Sequence, residues 1–398
     1  MNRDDFEMLR KDLIYFDNSA TTLKPKQVLD KMLEYYNNYC SNIHRGDYSI
    51  ALKAEEEYNK VRHIVCDFIH AKDTKEIVFT SGATDSFNRI VFGFMQYHLK
   101  KGDEVILSKS EHASNLLPWM ALENLIGIKI KYVPLDKNYH VTLANLEKEI
   151  TPKTKVVSLA HLTNVLGDIR DIEGIGELCR KHNLYFVVDA AQSLGHLKID
   201  VQRANISFLG ASAHKMLGPT GVGILYGKYE LLDKMIPLEF GGGMNASFTS
   251  SGELELKDLP ERLEAGTPNI ADVLGMGEAI SYLEKIGMDN IYKHEVELKE
   301  YFLDRIKDNS KIEIYNKDDK SGIIAFNIKD VFAQDTAVFL NHYGICVRAG
   351  NHCAKILKDE LHINNTCRIS FYLYNTKEEV DKLIEVLSHV DDIFKVVI

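Results

Sequence analysis

Short apolar runs recur through the first two thirds of the chain, and most of them do not alternate with polar positions. Glu76–Thr80, Glu104–Ser108, Lys129–Val133, Lys155–Ala160, Leu184–Asp189, Ile206–Ala211 and Val222–Tyr226 are rich in Val, Ile, Leu and Phe. Unbroken runs of this kind predict strands covered on both faces. Helical periodicity fills the gaps, for example over Asp85–Leu99 and Ile172–His182. The alternation predicts an α/β architecture: a large domain with a mostly parallel seven-stranded sheet between helices.

Around residue 240 the texture changes. Gly241-Gly-Gly opens a stretch rich in Gly, Ser and Thr that runs to Gly266-Thr267-Pro268. An excursion of that length without an obvious element of its own is usually functional or interfacial. Beyond it lie helical patterns at Ala271–Ile286 and Met288–Lys307, and strands at Lys311–Tyr315 and Gly322–Ile328. A helix near Thr336–Tyr343, strands at Cys346–Arg348 and Arg368–Phe371, and a last helix from Lys377 complete a smaller α+β domain. An early helix, Pro25–Tyr39, is expected to pack between the two. The expected division is 21–261 for the large domain, with 1–20 and 262–398 forming the small one.

Composition sharpens this picture mainly by exclusion. The balance of 48 basic and 58 acidic side chains gives a net charge of −10, which argues against nucleic-acid or anionic-membrane binding over a broad basic face. No apolar run is long enough to span a bilayer, and the first residues show no apolar signal core. The six cysteines, Cys40, Cys66, Cys179, Cys346, Cys353 and Cys367, contain no Cys-x-x-Cys pair, so no metal site or disulfide framework is indicated. A reduced, cytoplasmic setting is expected, in which a reactive thiol persists.

Chemistry concentrates at the ends of predicted strands. Leu184–Asp189 ends on an acid, and Lys215 follows the apolar Phe208-Leu-Gly-Ala211 lead-in. A buried lysine paired with such an acid suits pyridoxal phosphate: the amine forms a Schiff base with the aldehyde, and the carboxylate holds the pyridine nitrogen protonated. Gln192 is placed to bond the phenolic oxygen. Ser81-Gly-Ala-Thr-Asp-Ser86 opens a helix at a strand end, where amides and hydroxyls bind phosphate. His112 lies at the same edge, placed to stack on a flat ring or shuttle protons. Taken singly each has an ordinary explanation: a turn acid, a surface lysine, a helix cap, a structural histidine.

Together these segments resemble the fold-type-I pyridoxal-phosphate enzymes of aminotransferase class V, and within them the group II (Suf-type) cysteine desulfurases and selenocysteine lyases. The resemblance runs through Tyr15–Ala20, Asn42–Gly46, Glu111–Asn115, Asn164–Gly167 and Asp189–Gln192, then His214-Lys215 and Gly218–Tyr226. It continues through Glu264–Asn269, Arg348–Cys353 and Cys367–Ser370. It implies that Lys215 carries the cofactor, Asp189 pairs with the ring nitrogen, Gln192 bonds the phenolic oxygen and His112 stacks on the ring. It further implies that the Ala83 amide, Thr84, Ser212 and His214 hold the phosphate, with Thr267 reaching a neighbouring subunit's site in a homodimer. Asn164 and Arg368 would hold the substrate carboxylate, with Arg348 near the reacting end. Planar bidentate guanidinium suits that task.

Cys353 selects among the reactions such a cofactor allows. It follows Gly350 and His352 in a short loop, where Arg348 or His352 is expected to favour the thiolate; the ordinary alternative is a small buried filler. The resemblance implies a cysteine desulfurase: L-cysteine becomes L-alanine, and a persulfide on Cys353 passes to an acceptor protein's thiol, with iron–sulfur cluster assembly as the destination. L-selenocysteine as main substrate, or aminotransferase activity, are the alternatives. Ala83, Asn351 and Ala213 depart from residues common in the family. The Gly241–Glu264 excursion looks like the group II hairpin insertion.

Overall fold

The computed structural model describes residues 2–11, 13–44 and 46–393. Arg45 of the Asn42–Gly46 motif, and the chain ends counted into the expected small domain, lie outside the described residues. Seven strands form the central sheet: β1 Ile77–Thr80, β2 Glu104–Ser108, β3 Lys129–Val133, β4 Thr154–Ala160, β5 Tyr185–Asp189, β6 Phe208–Ser212 and β7 Gly223–Gly227. Their spatial order is β1-β7-β6-β5-β4-β2-β3. Neighbours from β6 to β3 run parallel, and β7 runs antiparallel to both β6 and β1.

The unbroken hydrophobicity of the strands has a direct cause. Successive side chains point to opposite faces, and both faces are covered. Ile106, Val157, Phe186 and Val188 enter one core, which includes the helices Lys26–Asn38, Ser49–Phe68 and Ile270–Ile286. Val105, Leu107, Val156 and Val187 enter another, under Ala83–His98 and Leu117–Ile126. Helix Lys26–Asn38 packs against Ile270–Ile286, so the latter contributes to the core of the large sheet.

A second, four-stranded antiparallel sheet follows: β10 Ile312–Ile314, β11 Ile323–Ile328, β12 Arg348–Gly350 and β13 Thr366–Ser370, in the order β10-β11-β13-β12. Between the sheets in sequence, β8 Asn245–Phe248 and β9 Leu254–Leu256 form an antiparallel hairpin. The Gly/Ser/Thr-rich stretch therefore has an element of its own.

Several boundaries differ from the sequence expectation. β1 starts at Ile77 because Thr74–Glu76 forms a 3-10 turn, which the buried Glu76 carboxylate anchors by accepting the Lys72 and Tyr229 amides. The single strand expected at Cys346–Arg348 is two. Ile345-Cys346 pairs in parallel with Ile14-Tyr15, whereas Arg348–Gly350 joins β13, so the chain changes partner at Val347. The helix expected at Asp85–Leu99 starts at Ala83 and is π-helical over Arg89–Met95. Helix Ser49–Phe68 is not among the expected elements, although it buries Ala51, Ala54, Tyr58, Val61 and Val65 at helical spacing. No helix among the described residues is long and apolar enough to cross a membrane.

Candidate active site

Five strands deliver site residues from their carboxyl ends, where ligands bind in open α/β sheets. β1 leads through Gly82 into the helix that starts at Ala83; β2 leads to His112, β4 to Asn164, β5 ends on Asp189, and β6 ends on Ser212 just before Lys215. Gly82 has φ 147°, a conformation that L side chains rarely adopt, and a Cβ on Gly223 of β7 would meet the Gly82 Cα at 2.6 Å. That close approach brings the helix start over Ser212, whose Oγ accepts the Ala83 amide at 2.8 Å.

A cavity of about 200 Å³ is lined by Ser19, Ala83, Thr84, His112, Asn164, Asp189, Ser212, His214, Lys215, Arg348, His352, Cys353 and Arg368. The β12–β13 side of the small sheet thus meets the carboxyl edge of the large one. A roomier cleft nearby, lined by Tyr58, Asp85, Arg89 and Glu264 among others, shares Thr84 with it but has neither the lysine nor the thiol. Gln192 and Thr267 do not line the cavity. The Gln192 Nε2 donates to the Ser19 carbonyl at 2.7 Å, leaving Oε1 buried without a partner. Thr267 is exposed and accepts from Asn42 at 3.3 Å.

Burial shapes the electrostatics. Lys215 has its pKa lowered to about 8, chiefly by desolvation and against the opposing pull of Asp189. Among the described residues it has no ion pair within 4 Å. Asp189 is pushed up to about 6 by burial, although its Oδ1 accepts the Ala191 amide at 2.9 Å. His112 is lowered to about 4 by burial, then by the charges of Lys215 and Arg368. The Ser114 amide donates to its Nδ1 at 3.1 Å, so the neutral ring carries its proton on Nε2. Burial and the charges of Lys215 and Lys24 lower His214 to about 4.

The His112 turn is held from below by groups that sequence reasoning did not single out. Fully buried Arg170 pairs with Glu111 and donates to the Ser110 Oγ at 2.7 Å and the Ala160 carbonyl at 3.1 Å. Glu111 in turn accepts from Asn115 and the Ala160 amide, both at 2.8 Å. Asp17 was also missed as a site residue, although it stands in the quoted Tyr15–Ala20 motif. Its carboxylate accepts from Arg348 Nε at 3.1 and 3.2 Å and from Arg368 Nη2 at 3.2 Å.

Arg368 is 2% exposed and its pKa is lowered to about 10 by burial. Its Nη1 donates to the Asn164 carbonyl at 2.8 Å, and its Nε has no partner. Asn164 Nδ2 donates to the His352 carbonyl at 2.7 Å, leaving Oδ1 unpartnered. Cys353 is exposed and has φ 55°. Its carbonyl accepts the Ala113 amide at 2.8 Å, which ties the thiol-bearing loop to the His112 turn. His352 does not act as the cationic neighbour the sequence suggested. It is buried against Thr366, and desolvation with the charges of Arg368 and Lys358 holds its pKa at about 2.

A lysine and an acid on adjacent strand ends of a mixed sheet, with a smaller sheet supplying arginines and a thiol, make the scaffold of a fold-type-I pyridoxal-phosphate enzyme. Residues 14–383 match the aminotransferase class-V family. A probable cysteine desulfurase of Halalkalibacterium halodurans is 42% identical over 98% of this chain and 96% of its own length. One from Staphylococcus aureus is 42% identical over 96% and 93%. Among solved structures, the apo cysteine desulfurase of Thermococcus onnurineus superposes with a TM-score of 0.94 at 37% identity, covering 98% of this chain and 96% of that one. The cysteine desulfurase CsdA of Escherichia coli, in an S-sulfonic acid form, superposes at 0.92 with 33% identity, covering 98% and 97%. The chain belongs to the aminotransferase class-V family.

Proposed function

We propose that this protein is a pyridoxal-phosphate-dependent cysteine desulfurase, with Lys215 as the cofactor lysine and Cys353 as the sulfur nucleophile. One observation carries the reading: Lys215, from the large sheet, and Cys353, from the loop after β12, line the same cavity. The names of the relatives support it.

The cavity fits the cofactor. Buried polar atoms without protein partners belong to residues that line it, namely Asn164 Oδ1 and Arg368 Nε, and such atoms require a partner when buried. Asp189 would pair with the ring nitrogen and His112 would stack on the ring. Gln192 would face the phenolic oxygen, and Thr84, Ser212 and His214, with the Ala83 helix start, would hold the phosphate. Ser212 accepts the Ala83 amide, so its own hydroxyl proton is the group free for that anion. Bound pyridoxal phosphate supplies an aldehyde for the lysine and a ring that accepts electrons from the substrate's Cα.

The chain's own residues do the rest. A lysine with a pKa near 8 exchanges a proton at neutral pH more readily than a solvated one, so Lys215 Nζ takes the Cα proton. His112 offers its Nε2 proton from a neutral ring. Arg368, with Asn164 beside it, binds the carboxylate, and Arg348 lies nearer the loop. The Cys353 sulfur attacks the substrate sulfur; the new S–S bond forms as the substrate's C–S bond breaks. L-cysteine and the Cys353 thiol thus become L-alanine and a Cys353 persulfide, in atom balance. The exposed position of Cys353 lets a second protein's thiol collect the sulfur by exchange. Iron–sulfur cluster assembly is the destination the family resemblance implies. Thr267, exposed and outside this chain's own cavity, would complete the site of a second copy in a homodimer.

The test is incubation with pyridoxal phosphate and L-cysteine, measuring alanine and protein-bound persulfide in wild type and Cys353→Ser. Alanine and persulfide from wild type, with neither from the variant, is the expected result. Equal alanine from both would remove Cys353 from its role, and none from either would overturn the desulfurase reading. Running L-selenocysteine in parallel separates the two substrates.

A further inference from the structure

Lys358 lies on the helix Lys355–Glu360, just after the Cys353 loop, and is 1% exposed. Its Nζ donates to the Thr366 Oγ1 at 2.6 Å. No carboxylate among the described residues lies within ion-pair distance. The acids beside it on the helix turn away, Asp359 to Lys355 and Glu360 to Lys109. The charged group that acts on it is Arg368, another cation, and burial together with Arg368 lowers its pKa to about 7. A buried amine without an acid is costly. An apolar side chain of the same length would fill the space without that cost, so the amine calls for an explanation beyond packing.

The chain of contacts leads to the thiol. The Thr366 hydroxyl lies 3.0 Å from His352 Nε2, which is also 3.0 Å from the Thr366 carbonyl. A carbonyl only accepts, so Nε2 bears the proton, and the ring is pinned by both Thr366 oxygens. His352 and Cys353 have φ 51° and 55°. Two successive non-glycine residues in the left-handed region persist only where their surroundings hold them. Here the ring of the first residue is what Thr366 holds, and Lys358 holds the hydroxyl of Thr366.

We propose that Lys358 is a positioning residue for the Cys353 thiol, acting through the Thr366 hydroxyl and the His352 ring. The inference rests on Cys353 being the sulfur nucleophile, but its test needs no turnover. The rate of Cys353 alkylation by iodoacetamide, mapped by peptide mass, is measured against pH in wild type, Lys358→Met, Thr366→Val and the double variant. Each single variant is expected to slow alkylation about fivefold, and the double variant no further, because groups in one hydrogen-bonded chain do not add independently. The wild-type profile should carry a second inflection near pH 7, where Lys358 changes charge, and Lys358→Met should lack it. Wild-type rates and profile in both single variants, or effects that multiply in the double variant, would overturn the proposal. Failure of wild type to release alanine would overturn the desulfurase reading while leaving the alkylation result to stand on its own. Thr366→Val, close in shape to threonine, keeps the test open if Lys358→Met does not fold.

Discussion

Arg348 and Arg368 stand directly opposite each other on adjacent antiparallel strands, β12 and β13. Like charges in that position repel. The Asp17 carboxylate, delivered by the stretch after Ile14-Tyr15, accepts from both, and the pair is tolerable because of it. The arrangement places two guanidinium groups at one cavity while occupying part of each hydrogen-bonding fork.

Asp17→Asn keeps the shape and removes the charge between the arginines. Breaking a buried ion pair leaves an uncompensated cation and costs about 3–5 kcal/mol; because Arg348 is half-exposed and screened, a loss of about 2–3 kcal/mol is expected. Urea unfolding of the variant and wild type measures it. An unchanged midpoint and slope would show that solvent already compensates the arginines.

Asp189 has its pKa raised from its ordinary 3.8 to about 6 in the folded chain. A raised folded value means the native state binds the proton more tightly than the unfolded chain. That contribution to stability is therefore present below about pH 4 and lost as pH rises through about 6. In the cofactor-free protein, Asp189→Asn removes this liability. It should be more stable than wild type at pH 7.5, by up to about 3 kcal/mol, with the difference shrinking towards pH 4. Thermal melts of both apoproteins across that window test it. With cofactor added, the order should reverse, since the amide offers no charge to the ring nitrogen.

Lys215 predicts a rate. Only the unprotonated amine attacks an aldehyde, and this amine has a pKa near 8. The rate at which apoprotein takes up pyridoxal phosphate should rise with pH through about 8 and then level off. A profile still rising above pH 10, as for a solvated lysine, would count against a desolvated Lys215.

Glu111→Gln tests the frame under His112. Arg170 would retain Asp168 at 3.4 Å but lose the charge of its nearest partner in a fully buried place, and the new amide group would meet the donors Asn115 and the Ala160 amide. A destabilisation of about 3 kcal/mol is expected, together with slower cofactor uptake as the His112 turn loosens. Stability loss without any change in uptake would assign Glu111 to folding alone.

Much of the fold was legible because strands buried on both faces leave apolar runs, and the sheet strands stood in such runs except the edge strand β3, Lys129–Val133, which alternates apolar and charged residues and is partly exposed. Helix Ser49–Phe68 escaped notice although its buried residues recur at helical spacing, because charged residues fill the turns between them. The division at Cys346–Arg348 was not legible either, since two short strands in different sheets look like one when read along the chain. The candidate site side chains, Lys215, Asp189, His112 and Cys353, stood out because each sits at a strand end or in a glycine-containing loop. Their supports, Asp17, Arg170 and Lys358, did not, because a charged residue that is paired or buried looks no different in sequence from a solvated one.

The sequence by itself determined the layered α/β architecture, through hydrophobic period, and singled out Lys215 and Cys353 as candidates for aldehyde capture and sulfur transfer, through local motifs. Only the tertiary structure decided that the lysine and the thiol line one cavity. Lys215 and Cys353 belong to different sheets, and what brings them together is the packing of β12 and β13 against the carboxyl edge of β4 to β6. That packing also decided the protonation states, because burial and neighbouring charge, which no one-dimensional pattern records, neutralise His112 and His352 and draw Lys215 towards neutrality.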